Sequence, residues 1–211
     1  MTRERSRTRM PLSMAPMVPR GPGPVKPRVR CGSDAIRLDA PRLSLPADGR
    51  RHEPHEGKLS VTPAPVPRHQ RVSHRLLRAL DRHVEADRLG EVFHAPLDLI
   101  LSDTSVVQPD LLYLDPPRMT SITERGIEGP PALVIEILSP STAPIDRGVK
   151  LGLYARHGAP CYWIVDADAR LIEAHVLAGD AYRLAATLEG GEPRALPPFR
   201  DLRLDPAAIW V

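Results

Sequence analysis

The run P-A-L-V-I-E-I-L-S-P-S-T-A-P-I-D-R-G-V-K-L-G-L-Y-A-R-H-G-A-P-C-Y-W-I-V-D, from Pro131 to Asp166, decides the fold. Residues 132–138 form a short apolar run bounded by turn residues, the pattern of a strand buried on both faces of a sheet. Residues 145–157 follow with helical spacing. Their apolar face is Ile145, Val149, Leu151, Leu153 and Tyr154, and Gly158 ends the helix. Residues 161–165 make the next buried strand. One residue interrupts the first strand: Glu136. A lone carboxylate among aliphatic neighbours is expensive to ionise, so it must be paired, protonated or bound to a cation.

Outward from this unit, residues 91–101 alternate as a strand with an irregularity at Pro96, and 106–114 form a second strand that contains Pro109-Asp110. A turn at Ser102-Asp103-Thr104 joins the two into a hairpin. Upstream, residues 69–87 place Val72, Leu76, Leu77, Leu80 and Val84 on one side of an amphipathic helix, with Gly90 as its C-terminal cap. Residues 58–62 are a strand after a turn at Gly57, and 63–67 are a proline-rich linker. Downstream, 118–129 is a polar connection holding one helical turn, 171–177 and 181–186 are strands, and 202–210 is a short terminal segment. The order predicts a mixed α/β (α+β) domain over residues 51–211, a curved mixed sheet with one main helix on each side. Residues 1–50 are rich in Arg, Pro, Gly and Met without periodicity and read as a disordered tail.

Composition narrows the function classes. Aromatic residues are only 4% of the chain, so the core rests on Leu, Val, Ile and Ala. The net charge of +3 divides unevenly. Residues 1–50 carry 11 Arg/Lys against 4 Asp/Glu, whereas residues 51–211 carry 18 against 22. The domain itself is mildly acidic, so bulk charge does not mark it as a nucleic-acid binder. No apolar run reaches the length of a membrane span and no secretory signal is present, which predicts a soluble, cytoplasmic protein. Cys31 and Cys161 are isolated, which argues against a disulfide framework or a zinc site. Neither a phosphate-binding Gly-rich loop nor a nucleophile elbow occurs. Ser139, Ser141 and Thr142 read as capping residues, and His69 as a hydrogen-bonder at a helix start.

The chemistry rests on two acids. Asp110 and Glu136 fall in adjacent strands, where two side chains meet across about 5 Å, close enough to share a divalent cation. Mg²⁺ or Mn²⁺ held by Asp110, Glu136, the backbone carbonyl of Ile137 and waters can activate water and neutralise charge on a phosphodiester. A nearby lysine would stabilise the transition state. Strand alternation puts Gln108 on the face of Asp110, as a water-orienting group or pocket wall. Simpler readings stand beside these. Glu136 can be a core acid in an ion pair, Lys150 a solvated partner of Asp146 four residues earlier, and Tyr154 a packing residue.

These residues carry a resemblance. V-V-Q-P-D-L at 106–111, L-V-I-E-I-L-S-P-S-T at 133–142, D-R-G-V-K-L-G-L-Y-A-R-H-G-A-P at 146–160 and Y-W-I-V-D at 162–166 are similar to the Uma-two family of restriction-endonuclease-like nucleases. I-T-E-R-G-I-E-G-P-P at 122–131 matches as well, and weaker similarity reaches back to residue 51. The resemblance implies the curved-sheet nuclease fold and a P-D…E-x-K site in which Asp110 and Glu136 bind the metal. Leu138 occupies the strand position of the usual lysine, and Lys150 on the following helix matches the family's replacement. H-E-P-H-E-G-K-L at 52–59 stands where the family has Y-E-L-I-D-G-E-L. Glu53 and Gly57 are retained, so the resemblance makes Glu53 an auxiliary metal residue. The expectation is a Mg²⁺-dependent endonuclease acting on DNA as a homodimer, since one centre cuts one strand. The alternatives are an inactive nuclease-fold scaffold associated with DNA, and a hydrolase of small phosphoesters.

Overall fold

In the computed structural model the described residues are 51–55, 58–62, 65–140 and 142–210, with side chains from residue 65 onward. The tail expected over 1–50 lies outside them. The chain opens with a hairpin of β1 (Arg51–His55) and β2 (Lys58–Thr62), then helix α1 (Pro67–Ala86). Strands β3 (Glu91–His94), β4 (Leu99–Ser102), β5 (Ser105–Val107) and β6 (Leu111–Leu114) follow, then a 3-10 turn (Pro116–Ser121). After β7 (Ile122–Thr123) and β8 (Gly126–Glu128) comes β9 (Leu133–Ile137). Next, α2 (Ala143–Ile145), a π-helical turn (Asp146–Lys150) and α3 (Leu151–Arg156) run on without a gap. Strands β10 (Cys161–Asp166), β11 (Leu171–Ala178) and β12 (Ala181–Glu189) precede the short β13 (Arg194–Ala195), β14 (Arg203–Leu204) and α4 (Pro206–Ile209).

The main sheet has the order β12-β11-β10-β9-β6-β3. Its one parallel pair, β9 with β10, is joined by the α2–α3 crossover; the other pairs are antiparallel. Every residue of β9 is buried, Glu136 included, as a central strand whose other residues are all apolar requires. Alternate residues feed two cores. Leu133, Ile135 and Ile137 pack with Val72, Leu76, Leu80 and Val84 of α1. Val134 packs on the other face with Leu153, Tyr154, Tyr162 and Ile164. Each fully buried aliphatic of α1 contributes about 1.5–3 kcal/mol relative to exposure. The mixed sheet with a helix on each face is as the sequence predicts.

Four local features differ. The hairpin over 91–114 is divided between two sheets: β3 and β6 pair in the main sheet, whereas β4 and β5 pair in a second sheet of order β5-β4-β8-β7. The breaks fall at the cis Ala95–Pro96 bond and at Gln108–Asp110. Proline has no N–H to give a ladder, so neither strand continues through its proline. Helix α1 is capped by Arg88, not Gly90. Arg88 takes the left-handed φ of 52°, and the Leu89 N–H returns to the Val84 carbonyl at 2.9 Å. Gly90 serves another purpose, since a Cβ there would stand 2.0 Å from the Leu114 carbonyl oxygen. The second helix is turned from its expected face: Val149 is exposed, and Asp146 and Lys150 point inward. Finally, β1 was not legible as a strand, because Pro54 and the polar residues around it in R-H-E-P-H carry no strand signal. Among the described residues no helix is long and apolar enough to cross a membrane.

Candidate active site

Asp110 lies in the bend just before β6 and is buried. The antiparallel register pairs Leu111 with Ile135 and Leu112 with Val134; continued by one residue it sets Asp110 across from Glu136. The Asp110 backbone still belongs to the sheet, since its carbonyl accepts the Ala95 N–H at 3.1 Å. Its side chain takes over the ladder on the other side. Oδ2 accepts the Ile137 N–H at 2.8 Å, where a backbone carbonyl would otherwise sit. The next N–H, that of Leu138, points the opposite way to Val165. A strand residue directs its N–H and carbonyl to the same side, so the Ile137 carbonyl also lies on the Asp110 side.

Glu136 is 2% exposed, and it is not left bare. Its Oε1 accepts from Lys150 Nζ at 3.0 Å and from the Tyr154 hydroxyl at 2.7 Å. Lys150 Nζ also stands 3.6 Å from Asp146 Oδ1. The π turn is the reason. Its wider i→i+5 register stacks residues four apart on one side, so Asp146, Lys150 and then Tyr154 all face the sheet. Lys150 is 4% exposed, which removes the solvated surface pair with Asp146 as its explanation. Tyr162 on β10 donates to the Asp146 carbonyl at 3.0 Å. Its phenol is held well above the ordinary range, first by burial and then by the negative charges of Glu136 and Asp146, with Asp110 adding to them.

The remaining sequence candidates fall out as follows. Gln108 precedes β6 instead of lying in a strand with Asp110, and its Nε2 donates to Asp98 Oδ1 at 2.8 Å. Glu53 sits in β1 opposite Ser60, and its side chain lies outside the described residues. Thr142 Oγ1 accepts the Ser139 N–H at 3.2 Å and closes the turn into α2, while Ser141 is outside the described residues. One residue was misjudged. His69 is not occupied at the helix start, because the ring is buried and Nε2 lies 3.1 Å from Asp110 Oδ2. A carboxylate only accepts, so Nε2 carries the hydrogen. Its position on the buried stripe with Val72, Leu76 and Leu80 was the available signal.

The family model described as "Uma2: Putative restriction endonuclease" matches residues 40–207. The chain belongs to the Uma2 family. This Uma2 chain is also similar in structure to "a putative nuclease belonging to DUF820" from Anabaena variabilis ATCC 29413. The TM-score is 0.66 at 20% identity, over 80% of this chain and 94% of that one. At that identity the likeness shows the fold, the nuclease-like mixed sheet expected from the sequence. No curated protein matches the chain.

Among the described residues no group of three or more His, Cys, Asp and Glu side chains forms a metal cage. A magnesium-type ion needs no such cage: it keeps several waters and takes one or two carboxylates. The hard oxygen donors of Asp110 and Glu136, with the Ile137 carbonyl on the same side, fit that requirement.

Proposed function

We propose that this Uma2 protein is a metal-dependent endonuclease that hydrolyses DNA phosphodiester bonds. One observation carries the reading: the register of β6 with β9, continued by one residue, sets Asp110 across from Glu136, and Lys150 Nζ donates to Glu136 Oε1 at 3.0 Å. Asp110, Glu136 and the Ile137 carbonyl would hold Mg²⁺ or Mn²⁺, which when bound supplies an activated water and offsets charge developing on the phosphoryl group. The Ile137 N–H and His69 fix the Asp110 carboxylate through one oxygen. Tyr154 fixes the Glu136 rotamer, and the Lys150 ammonium adds positive charge beside the reacting group. Burial strengthens each of these interactions. Glu53 is assigned as an auxiliary residue and Gln108 as a supporting wall. The reading takes 51–211 as the nuclease domain with 1–50 as a basic appendage, and a cytoplasmic homodimer that cuts both strands.

The test is cleavage of supercoiled, linear and single-stranded DNA with Mg²⁺ or Mn²⁺. Glu136→Gln is expected to lower the rate by about a hundredfold or more. Absence of cleavage of every DNA form by the wild type would leave a nuclease-fold scaffold instead.

A further inference from the structure

Helix α1 carries Arg68, Arg71, Arg75, Arg78 and Arg82, spaced three, four, three and four residues apart. At 3.6 residues per turn this spacing draws all five into one narrow stripe over about 21 Å of helix. The stripe runs beside the buried face of Val72, Leu76, Leu80 and Val84. Arg71, Arg78 and Arg82 are exposed and make no hydrogen bond or ion pair with the described residues. Arg68 pairs with the exposed Asp168 at 2.7 Å, and Arg75 donates to the Trp210 carbonyl at 2.9 Å. Within α1 itself the only acids are Asp81 and Glu85, both towards the carboxyl end.

Two features separate this from an ordinary solvated face. Such a face alternates sign, with acids three or four residues before bases. Here successive members of the stripe are like-charged neighbours, each pair opposing the helix. The first turn has no acid and holds Arg68, so the charge also opposes the positive amino end of the helix dipole. A domain with more acids than bases has concentrated five of its cations where they repel one another, an arrangement that an anionic partner relieves.

The place of the stripe names the partner. Its amino end brackets His69, whose ring meets Asp110, so the stripe begins beside one of the two candidate carboxylates. Because the apolar face of α1 is fully used by the core, the helix cannot enter a lipid surface. We infer that the α1 arginine stripe is the track along which the phosphate backbone of DNA lies as it enters the site. The length matches the axial rise of about six base pairs of duplex. This rests on the endonuclease reading and specifies how its substrate is held.

The experiment measures binding of a fluorescein-labelled 30-base-pair duplex to the full chain by anisotropy, in EDTA, from 50 to 200 mM salt. Residues 1–50 contribute their own cations, so the difference between wild type and variant is what counts. Arg71→Ala/Arg78→Ala/Arg82→Ala is expected to weaken binding by about tenfold or more and to flatten the log–log salt slope by about 2.7, roughly 0.9 per lost contact. Lysine at the same three positions should restore the slope, which also controls for folding. Hydrolysis of bis(p-nitrophenyl) phosphate with Mn²⁺ should be unchanged in both variants. An alanine variant with wild-type affinity and slope overturns the track, as does a wild type that does not bind DNA at 50 mM salt. Salt-dependent binding that follows the stripe without any hydrolysis keeps the track and removes the nuclease.

Discussion

Replacing Lys150 by methionine keeps the unbranched side chain to within one atom of its length and removes its charge. In the native site the ammonium lies 3.0 Å from Glu136 Oε1 and 3.6 Å from Asp146 Oδ1, with all three residues under a twentieth exposed. At an effective dielectric constant of about 20, each contact is worth about 5 kcal/mol of gross Coulomb attraction, most of it offset by desolvation of the charges. Methionine removes the attraction but leaves two carboxylates in place, and breaking a buried pair from one side costs about 3–5 kcal/mol. For a domain of this size that lowers Tm by about 6–20 °C. Urea unfolding with linear extrapolation reads the change directly. The double variant Glu136→Gln/Lys150→Met should recover at least half of the loss, because it retires both members of the pair. A Lys150→Met cost below about 1 kcal/mol would refute the buried pair and return Lys150 to the helix surface.

Two further predictions concern neighbouring groups. His69→Ala removes a hydrogen-bond donor from Asp110 Oδ2 while the Ile137 N–H remains, so a stability loss of about 1–3 kcal/mol is expected in the same urea assay; an unchanged midpoint would show the contact to be idle. Burial pushes the Cys161 thiol up to about 11 from 9.0, so in a Cys31→Ser chain a thiol reagent at pH 8 should find no reactive group before denaturant is added. The sign follows for stability: between those two values the unfolded chain releases the proton and the folded chain keeps it, so Cys161→Ser should reduce the loss of stability as pH rises from 9 to 11.

The parts of the site that were legible in sequence are those carried by local chemistry. Glu136 stood out because a charge in a buried strand demands a reason, and its partner followed from the spacing of the two strands. The burial of Lys150 was hidden by the π turn. An α-helical period makes Ile145 and Val149 the inward positions, whereas the wider turn puts Asp146 and Lys150 there. The burial of His69 was signalled by its place on the apolar stripe of α1, but its contact with Asp110 depends on where the amino end of α1 docks against the sheet, which no local pattern encodes. The division of the hairpin was half visible, in Pro96 and Pro109, but the second sheet that receives β4 and β5 is supplied by β8, a distant pairing. The register that sets Asp110 across from Glu136 is likewise tertiary.

The most direct test of that pairing is calorimetric titration of the full chain with Mn²⁺, comparing wild type with Asp110→Asn and Glu136→Gln. One ion per chain, lost in each variant while both still fold, is the predicted result. An equal binding isotherm in all three proteins, or none in the wild type, would contradict the assignment of a shared ion to these carboxylates.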